Sequence, residues 1–332
     1  MSFLRLSICI STINRAAFIR ETLESIVPQM TDEVELVIVD SSSDSATEAM
    51  IPSFEAQGAN LRYLRSKMGF GEAYAKAVEL ARGEYCWLFT DDDLLKPGAV
   101  SAILEASRKN YSLIIVNAEV RGKDLSVCLE QRRVPVLEDH IFSPAPAEQD
   151  ALLAETGMYL TFIGAVIIRR DVWKQRIKEE YFRSLFVHMK VIFESRLPGD
   201  TLLIANPWIV IRWGNALWRS QSFEIWMFEL PELVWKLHDF ADWAKAKVER
   251  REPWRRWRRL LMARAMGRYS MEEYRRWLRP RLKTLPRRSL AWAIASVPIT
   301  PLNWLAQMFL FLTGKAASLA LVDLKDWQNQ AC

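Results

Sequence analysis

Tyr85-Cys86-Trp87-Leu88-Phe89-Thr90-Asp91-Asp92-Asp93 is an apolar run of strand length that drives into three consecutive carboxylates. Leu94, Leu95, Lys96, Pro97 and Gly98 break the run and start a new segment. A strand covered on both faces reads as a continuous apolar run, the pattern of a parallel sheet. In open α/β sheets, ligands sit beyond the carboxyl ends of such strands. Three neighbouring like charges repel, and two readings account for them. One is a solvated acidic turn. The other is a hard divalent cation, Mg²⁺ or Mn²⁺, which binds one or two carboxylates together with phosphate oxygens.

Upstream, the same alternation repeats. Leu6–Ser11 is an apolar strand ending in the polar loop Thr12-Ile13-Asn14-Arg15. Phe18, Ile19, Leu23, Ile26 and Val27 then follow at helix spacing, closed by Pro28. Val34–Val39, apolar apart from Glu35, ends in Asp40. Ser41-Ser42-Ser43-Asp44-Ser45 opens a helix to about Phe54, and Leu61–Leu64 is a short third strand. Gly69-Phe70-Gly71 opens a helix with inner face Tyr74, Ala77, Val78 and Ala81, and Gly83 serves as its C-cap. A helix from about Ala99 to Arg108 and a strand at Leu113–Val116 follow. Strands alternating with helices call for a parallel sheet with right-handed crossovers. Thr12, Asn14, Arg15, Asp40, Ser42 and the three aspartates then share one rim, where a nucleotide binds in such sheets.

Beyond this the pattern is less regular. Arg121–Gly157 is polar and Pro-containing with no clear period, and reads as a loop. Tyr159–Ile168 reads as a strand, Phe182–Phe193 as a helix carrying His188, and Thr201–Arg212 as a strand interrupted by Pro207. Glu224–Ala246 reads as one helix rich in Trp, Phe and Leu.

The chain has 332 residues, half of them apolar, which excludes a disordered protein. Its net charge of +5 is unevenly spread. From Lys245 to Arg288 there are 17 Lys/Arg against 4 Asp/Glu, a local +13 that leaves the remainder near −8. Such asymmetry pairs an acidic part with a basic part facing an anionic partner. Pro253-Trp254-Arg255-Arg256-Trp257-Arg258-Arg259 and Tyr274-Arg275-Arg276-Trp277-Leu278-Arg279 mix cations with aromatics. Ser289–Gly314 then carries no charge in 26 residues, though Pro298 and Pro301 interrupt it. Two short helices lying in an anionic bilayer interface fit this better than one crossing helix. A helical subdomain packed on the rest of the chain is the alternative. RNA binding explains the cations and aromatics but not the uncharged segment, so no nucleic-acid partner is expected. Cys9, Cys86, Cys128 and Cys332 show no CxxC spacing and read as free thiols. Met1-Ser2-Phe3-Leu4-Arg5 runs straight into the first strand, so the expected location is cytoplasmic, without a signal peptide.

Ser7-Ile8-Cys9-Ile10-Ser11-Thr12-Ile13-Asn14-Arg15, Val37-Ile38-Val39-Asp40-Ser41-Ser42-Ser43-Asp44, and Ala81-Arg82-Gly83-Glu84-Tyr85 leading into Thr90-Asp91-Asp92-Asp93 with Lys96-Pro97-Gly98 behind come in a telling order. In that order and spacing the first 110 residues or so resemble the family 2 glycosyltransferases of the GT-A fold. Phe186-Val187-His188 and Arg212-Trp213-Gly214-Asn215 resemble, less specifically, the abequosyltransferase type of O-antigen and capsule sugar transferases. The resemblance implies an α/β fold: a Rossmann-like, mostly parallel nucleotide-binding sheet with a C-terminal helical, basic and aromatic region. It implies a catalytic domain over 1–220, with a nucleotide-sugar half at 1–118 and an acceptor half at 119–220. A helical membrane-associating region would follow at 221–332.

Roles follow from the same resemblance. Thr12, Asn14, Arg15 and Ser42 line the nucleotide, and Asp40 pairs with its base. Lys76 either reaches a phosphate or is a surface lysine. Asp91, Asp92 and Asp93 match the DXD-type motif. Asp91 and Asp93 hold the metal if the strand continues and points them the same way, whereas in a turn adjacent carboxylates cooperate. The metal neutralises the departing diphosphate as a Lewis acid, and a base takes the acceptor hydroxyl's proton. Many family members place an Asp of a Glu-Asp pair there, but this chain has Val187-His188. His188 is then the base, a ligand of metal or diphosphate, or structural, and Glu194 is the reserve base. Trp213, Asn215 and Trp218 lie toward the acceptor or in the core. The implied reaction is inverting hexosyl or deoxyhexosyl transfer from a nucleotide-diphosphate sugar to a polyprenyl-diphosphate-linked saccharide. Its place is the cytoplasmic face of the inner membrane, in bacterial surface polysaccharide synthesis. A nucleotidyltransferase on the same rim, and a degenerate protein that only holds nucleotide or lipid, are the rival classes.

Overall fold

The computed structural model describes residues 4–313 and 319–331. Met1–Phe3, Gly314 and Cys332, on which parts of the sequence reading rest, lie outside the described residues. The chain divides into two compact units. The first runs to Val120, resumes over Gln131–Arg212 and takes in Leu237–Ala244. The second comprises Arg121–Glu130, Trp213–Lys236 and the chain from Lys245 on.

The strands in chain order are β1 (Leu6–Thr12), β2 (Val34–Asp40), β3 (Leu61–Arg65), β4 (Tyr85–Phe89), β5 (Leu94–Leu95), β6 (Leu113–Arg121), β7 (Cys128–Glu130), β8 (His140–Phe142), β9 (Val166–Arg169) and β10 (Thr201–Arg212). In the first unit the order across the sheet is β3-β2-β1-β4-β9-β6-β10-β5, and β8 pairs with β10. β3, β2, β1 and β4 are mutually parallel. β9 runs antiparallel to both β4 and β6. The helices α1 (Ala16–Ile26), α2 (Ala46–Glu55), α3 (Phe70–Leu80) and α4 (Ala99–Ser107) connect the early strands. The apolar residues of β1, β2 and β4 are fully buried, as a sheet covered on both faces requires.

One buried carboxylate and one close backbone approach hold these strands. Glu35, the odd residue of the β2 run, is fully buried. It accepts from Ser7 Oγ at 2.7 Å, from the Arg82 backbone at 2.6 Å and from Arg82 Nε at 3.1 Å. A buried carboxylate persists only when paired and hydrogen-bonded in this way. Gly83 is no helix cap. α3 ends at Leu80 with extended Ala81 as its C-cap. A Cβ at position 83 would lie 2.7 Å from the Ser7 backbone nitrogen and 2.8 Å from the Leu6 carbonyl carbon, so this site needs glycine for close approach to β1.

The structure revises several element readings. Arg121–Gly157 holds β7, β8 and helix α5 (Pro146–Thr156) rather than one loop. Tyr159–Ile168 is mostly two 3₁₀ turns, and only Val166–Arg169 is strand. The helix of His188, α6 being Arg170–Arg176, is α7 and covers only Val187–Ile192. Thr201–Arg212 is unbroken. Its β8 ladder covers Thr201–Leu203 and its β5 ladder Ile209–Val210, so Pro207 falls in the gap, where these ladders need no N–H. Glu224–Ala246 is not one helix: the chain stays helical through a π turn at Ile225–Glu229 to Trp235, and a separate helix begins at Asp242.

In the second unit, Phe223, Trp254, Tyr269 and Leu278 centre a core. Phe223 stacks on Tyr269 and Phe228 on Trp277, with centroids 5.0 and 5.2 Å apart. The helices Leu285–Ser296 and Ile299–Leu312 meet at 93°, and among the described residues no single helix is long and apolar enough to cross a membrane.

Candidate active site on the strand-end rim

Register brings the predicted rim together. Thr12 is the partner of Asp40 across the β1–β2 ladder. Ile10 is the partner of Phe89 on the other side, which puts Thr12 level with Asp91. Thr12 Oγ1 donates to Asp91 Oδ2 at 2.8 Å. Asn14 adopts a left-handed backbone, φ 55°, a conformation Asn tolerates better than most residues. That turn lets the Asn14 N–H reach Ser42 Oγ at 2.7 Å, while its Oδ1 accepts from the Ser43 N–H at 2.9 Å. The loops after β1 and β2 are thereby pinned to each other.

Asp40 is fully buried at the end of β2. One oxygen accepts from the Ser42 N–H at 2.8 Å and the other from the Tyr63 hydroxyl at 2.6 Å. Burial first, then the Asp40 carboxylate, raises the Tyr63 phenol above its ordinary range, so it stays protonated and donating.

The acidic triplet splits into a pair and a single residue. Arg15 lays its guanidinium across the adjacent pair, Nη1 to Asp91 Oδ1 at 3.1 Å and Nη2 to Asp92 Oδ2 at 2.8 Å. Burial and the neighbouring Asp92 charge push Asp91 up to about 7, against the opposing effects of Arg15 and Thr12. Asp93 turns elsewhere. Its carboxylate accepts from the Thr90 hydroxyl and from the Arg212 N–H, the latter at 2.7 Å. Its carbonyl accepts from Thr22 Oγ1 at 2.9 Å. Burial, then Asp92, raises it well above the carboxylate range. The expectation that Asp91 and Asp93 point the same way is therefore corrected. β4 stops at Phe89 and the chain bends at Asp91–Asp92, so strand alternation no longer applies. Phe18 carries both rim cations on its ring, Arg15 at 4.8 Å and Arg212 at 5.2 Å.

Other predicted residues stand apart. Lys76 on α3 pairs with Glu79 at 2.9 Å, one helical turn on, as a surface lysine does. His188 is fully buried. Its Nε2 lies 2.7 Å from the Leu160 carbonyl, which fixes the proton there and leaves Nδ1 unprotonated and without a partner. Burial lowers its pKa to about 4. The imidazole thus sits in the core rather than at a surface an acceptor hydroxyl reaches. Glu194 pairs with Lys178 and accepts from the Tyr181 hydroxyl at 3.5 Å. Trp213, Asn215 and Trp218 belong to the second unit. There Trp213 Nε1 donates to Asp323 at 3.1 Å, Asn215 Nδ2 is buried without a partner, and Trp218 meets Trp226 edge-on at 5.8 Å. Sequence reasoning missed Tyr63 and the role of Arg212. A tyrosine in a strand paired with β2 was the available signal for the first. For the second there was no local signal, since its partners lie in distant segments.

The donor set fits a hard divalent cation. Two adjacent carboxylates already share one positive charge, and burial leaves Asp91 in need of it. Among the described residues no cluster of three or more metal-ligating side chains exists. Asp91 and Asp92 would hold such an ion with the remaining ligands coming from phosphate oxygens and water.

A family model described as glycosyl transferase family 2 matches residues 7–175, about half of the 332-residue chain. Abequosyltransferase RfbV of Salmonella typhimurium is 23% identical over 224 residues, covering 63% of this chain and 67% of its own. Chondroitin synthase of Escherichia coli is 33% identical over 119 residues, 36% of this chain and 17% of its own. A Campylobacter jejuni GalNAc(5)-diNAcBac-PP-undecaprenol beta-1,3-glucosyltransferase is 23% identical over 116 residues, 34% of this chain and 38% of its own. The chain thus spans about two thirds of the first relative's length and well under half of the other two. Among solved structures, S. aureus TarS 1-349 superposes with a TM-score of 0.59 at 14% identity, over 98% of this chain and 92% of that one. That likeness carries the fold, a GT-A-like arrangement of a mostly parallel sheet followed by a helical C-terminal region.

Proposed function

Because the chain belongs to glycosyl transferase family 2, we propose that it moves a sugar from a nucleotide-diphosphate donor, bound on the Thr12–Asp40–Asp91 rim, to a saccharide acceptor. The observation that carries this reading is the rim itself: a buried acceptor at the end of β2 beside an acidic pair at the end of β4. Asp40 is fully buried with one oxygen on the Ser42 N–H and the other on the Tyr63 hydroxyl, so pairing with the N–H edge of a nucleobase requires the base to displace the Tyr63 hydroxyl. Arg15, stacked on Phe18, is positioned to trade the carboxylates for phosphate oxygens, which guanidinium groups recognise in a two-pronged manner. A bound Mg²⁺ or Mn²⁺ would neutralise charge on the leaving diphosphate. A bond forms from the acceptor hydroxyl oxygen to the anomeric carbon as the bond from that carbon to the diphosphate oxygen breaks. The hydroxyl proton leaves to a base, and attack opposite the leaving group inverts the centre.

The acceptor we assign is a saccharide on a polyprenyl diphosphate, in surface polysaccharide synthesis. The name of the Campylobacter jejuni relative includes such a lipid-linked saccharide, which supports this reading. The working place is the cytoplasmic face of an anionic inner membrane, to which the protein attaches peripherally. TarS has been solved with UDP and with UDP-GlcNAc, which makes UDP the first nucleotide to try.

Isothermal titration with UDP, GDP, CDP and dTDP, with and without Mn²⁺, tests the donor site. One diphosphate should bind, with Mn²⁺ strengthening it, and Asp91→Asn or Asp40→Asn should weaken it at least tenfold. A hydrogen bond to a charged group contributes about 1.5–3 kcal/mol, which is that order. No binding of any diphosphate to the folded wild type sinks the proposal.

A further inference from the structure

The helix Ile299–Leu312 is apolar on both faces: Leu310, with Leu302 and Ala306, packs inward against Ala265, Leu321 and Leu324. Asn303 on its inner face is fully buried, and its Nδ2 donates to the Ala265 and Leu324 carbonyls at 2.9 Å each. Gln307 lies over it, donating to Asn303 Oδ1 at 2.6 Å. On the outer face Trp304, Leu305, Met308, Phe309, Phe311 and Leu312 are 54% to 78% exposed. A helix at a water interface carries a polar outer face instead. The preceding helix, Leu285–Ser296, adds exposed Leu285, Leu290 and Trp292. Contiguous exposed apolar surface of this kind marks a contact with an apolar medium or partner.

Charge selects the occupant. From Tyr274 to Thr313 the chain holds seven Lys/Arg and no Asp or Glu. Arg275, Arg276, Arg279, Arg281, Lys283 and Arg287 are exposed. A second copy would bring this cationic stretch against itself. A nucleic acid would meet an aliphatic and aromatic face that carries no cation. An anionic bilayer satisfies both parts, with headgroup phosphates for the arginines and acyl chains for the apolar face. The two arms are about 18 and 21 Å long at helical rise, short of a hydrocarbon core of roughly 30 Å. Their 93° bend further prevents them from acting as one rod.

We propose that the Ile299–Leu312 helix lies in the surface layer of an anionic bilayer. Trp304, Leu305, Met308, Phe309 and Leu312 enter the acyl region, Asn303 and Gln307 face the protein, and the Arg275–Arg287 stretch lies on the headgroups. This deepens the proposed peripheral attachment and rests on it. The full chain is sedimented with phosphatidylcholine vesicles, with or without 30% phosphatidylglycerol, and UDP titration on the same preparation reports the donor site separately. Anionic vesicles should retain the wild type at least tenfold better than neutral ones. Leu305→Ser/Phe309→Ser, with an unchanged unfolding midpoint, should lose at least tenfold of that retention. Wild type left in the supernatant, a double variant that sediments like wild type, or a dimer seen by light scattering that the double variant abolishes would each overturn the proposal.

Discussion

His188 gives a prediction whose sign follows from burial, which outweighs the opposing hydrogen bond to the Leu160 carbonyl. Its imidazole is neutral in the core, with its pKa lowered from an ordinary 6.5 to about 4. The unfolded chain therefore binds more protons than the native one between these values, so stability is lost as pH falls through that window. Worked through the linkage relation, the loss between pH 7.5 and pH 5 is about 2 kcal/mol, and roughly 3 kcal/mol when the window is fully crossed. Asp91 and Asp93, with raised values, act in the opposite direction, so total stability does not isolate the effect. The difference between wild type and His188→Gln does. Glutamine keeps an N–H for the Leu160 carbonyl and does not titrate in this range. Urea unfolding of both proteins at pH 7.5 and pH 5 should show wild type losing about 2 kcal/mol more than the variant. Parallel pH dependences, or an imidazole resonance absent from the variant that titrates near 6.5, would refute a buried neutral ring. Turnover gives a second reading: a core imidazole predicts a transfer rate within a few-fold of wild type at pH 7.5. A general base there would cost about 10²–10⁴-fold.

Three further outcomes follow from the rim and its support. Arg15→Ala removes the cation shared by Asp91 and Asp92. Mn²⁺ alone, titrated without nucleotide, should then bind at least fivefold tighter than to wild type, and equal affinities would show that Arg15 does not compete for the pair. Asp93→Asn keeps an oxygen for the Arg212 N–H and places an amide beside the Thr90 hydroxyl, so Mn²⁺-dependent diphosphate binding should survive within a few-fold. Asp91→Asn should lose that binding, and equal losses in both would restore the outer pair as metal ligands. Gly83→Ala drives a methyl into the β1 backbone and should destabilise the fold by about 1–3 kcal/mol in urea, with diphosphate affinity unchanged in the folded protein.

In the parallel half of the sheet β1, β2 and β4 were legible because each announces itself locally, by a mostly apolar run ending in polar residues, whereas edge strand β3 mixes Leu and Tyr with Arg62 and Arg65. Register then does what sequence separation hides, setting Thr12 beside Asp40 and level with Asp91. The apolar run Tyr159–Ile168 misleads for a geometric reason. β4 and β6 offer β9 ladders only three residues long, and the Gly164 carbonyl is taken by Trp87 Nε1 at 2.8 Å instead of a neighbouring strand. His188 illustrates a different limit. A histidine on a short helix reads the same whether it faces a cleft or a core, and only the Leu160 carbonyl beside Nε2 separates the two.

The C-terminal region shows why composition alone leaves such questions open. Trp254 and Trp257 sit in the same cationic stretch, three residues apart, yet Trp254 is buried in a core and Trp257 is half exposed. Basic and aromatic content therefore supports a packed subdomain and a surface device equally well, and the second unit contains both. What separates them is the direction of each helix face. The core around Tyr269 puts aromatics inward, and its hydroxyl donates to the Ala291 carbonyl at 2.9 Å. The Ile299–Leu312 helix turns Asn303 inward beside Leu302, Ala306 and Leu310, and sends its aromatics out. A hydrophobic face left in water adds nothing to folding, whereas buried amides must be satisfied wherever they are. The inner face, with Leu310 packed against Ala265 and Leu324, already holds the helix in the fold, so the exposed outer face is not needed for folding and marks a contact surface instead, and the acid-free cationic stretch before it restricts what that contact is.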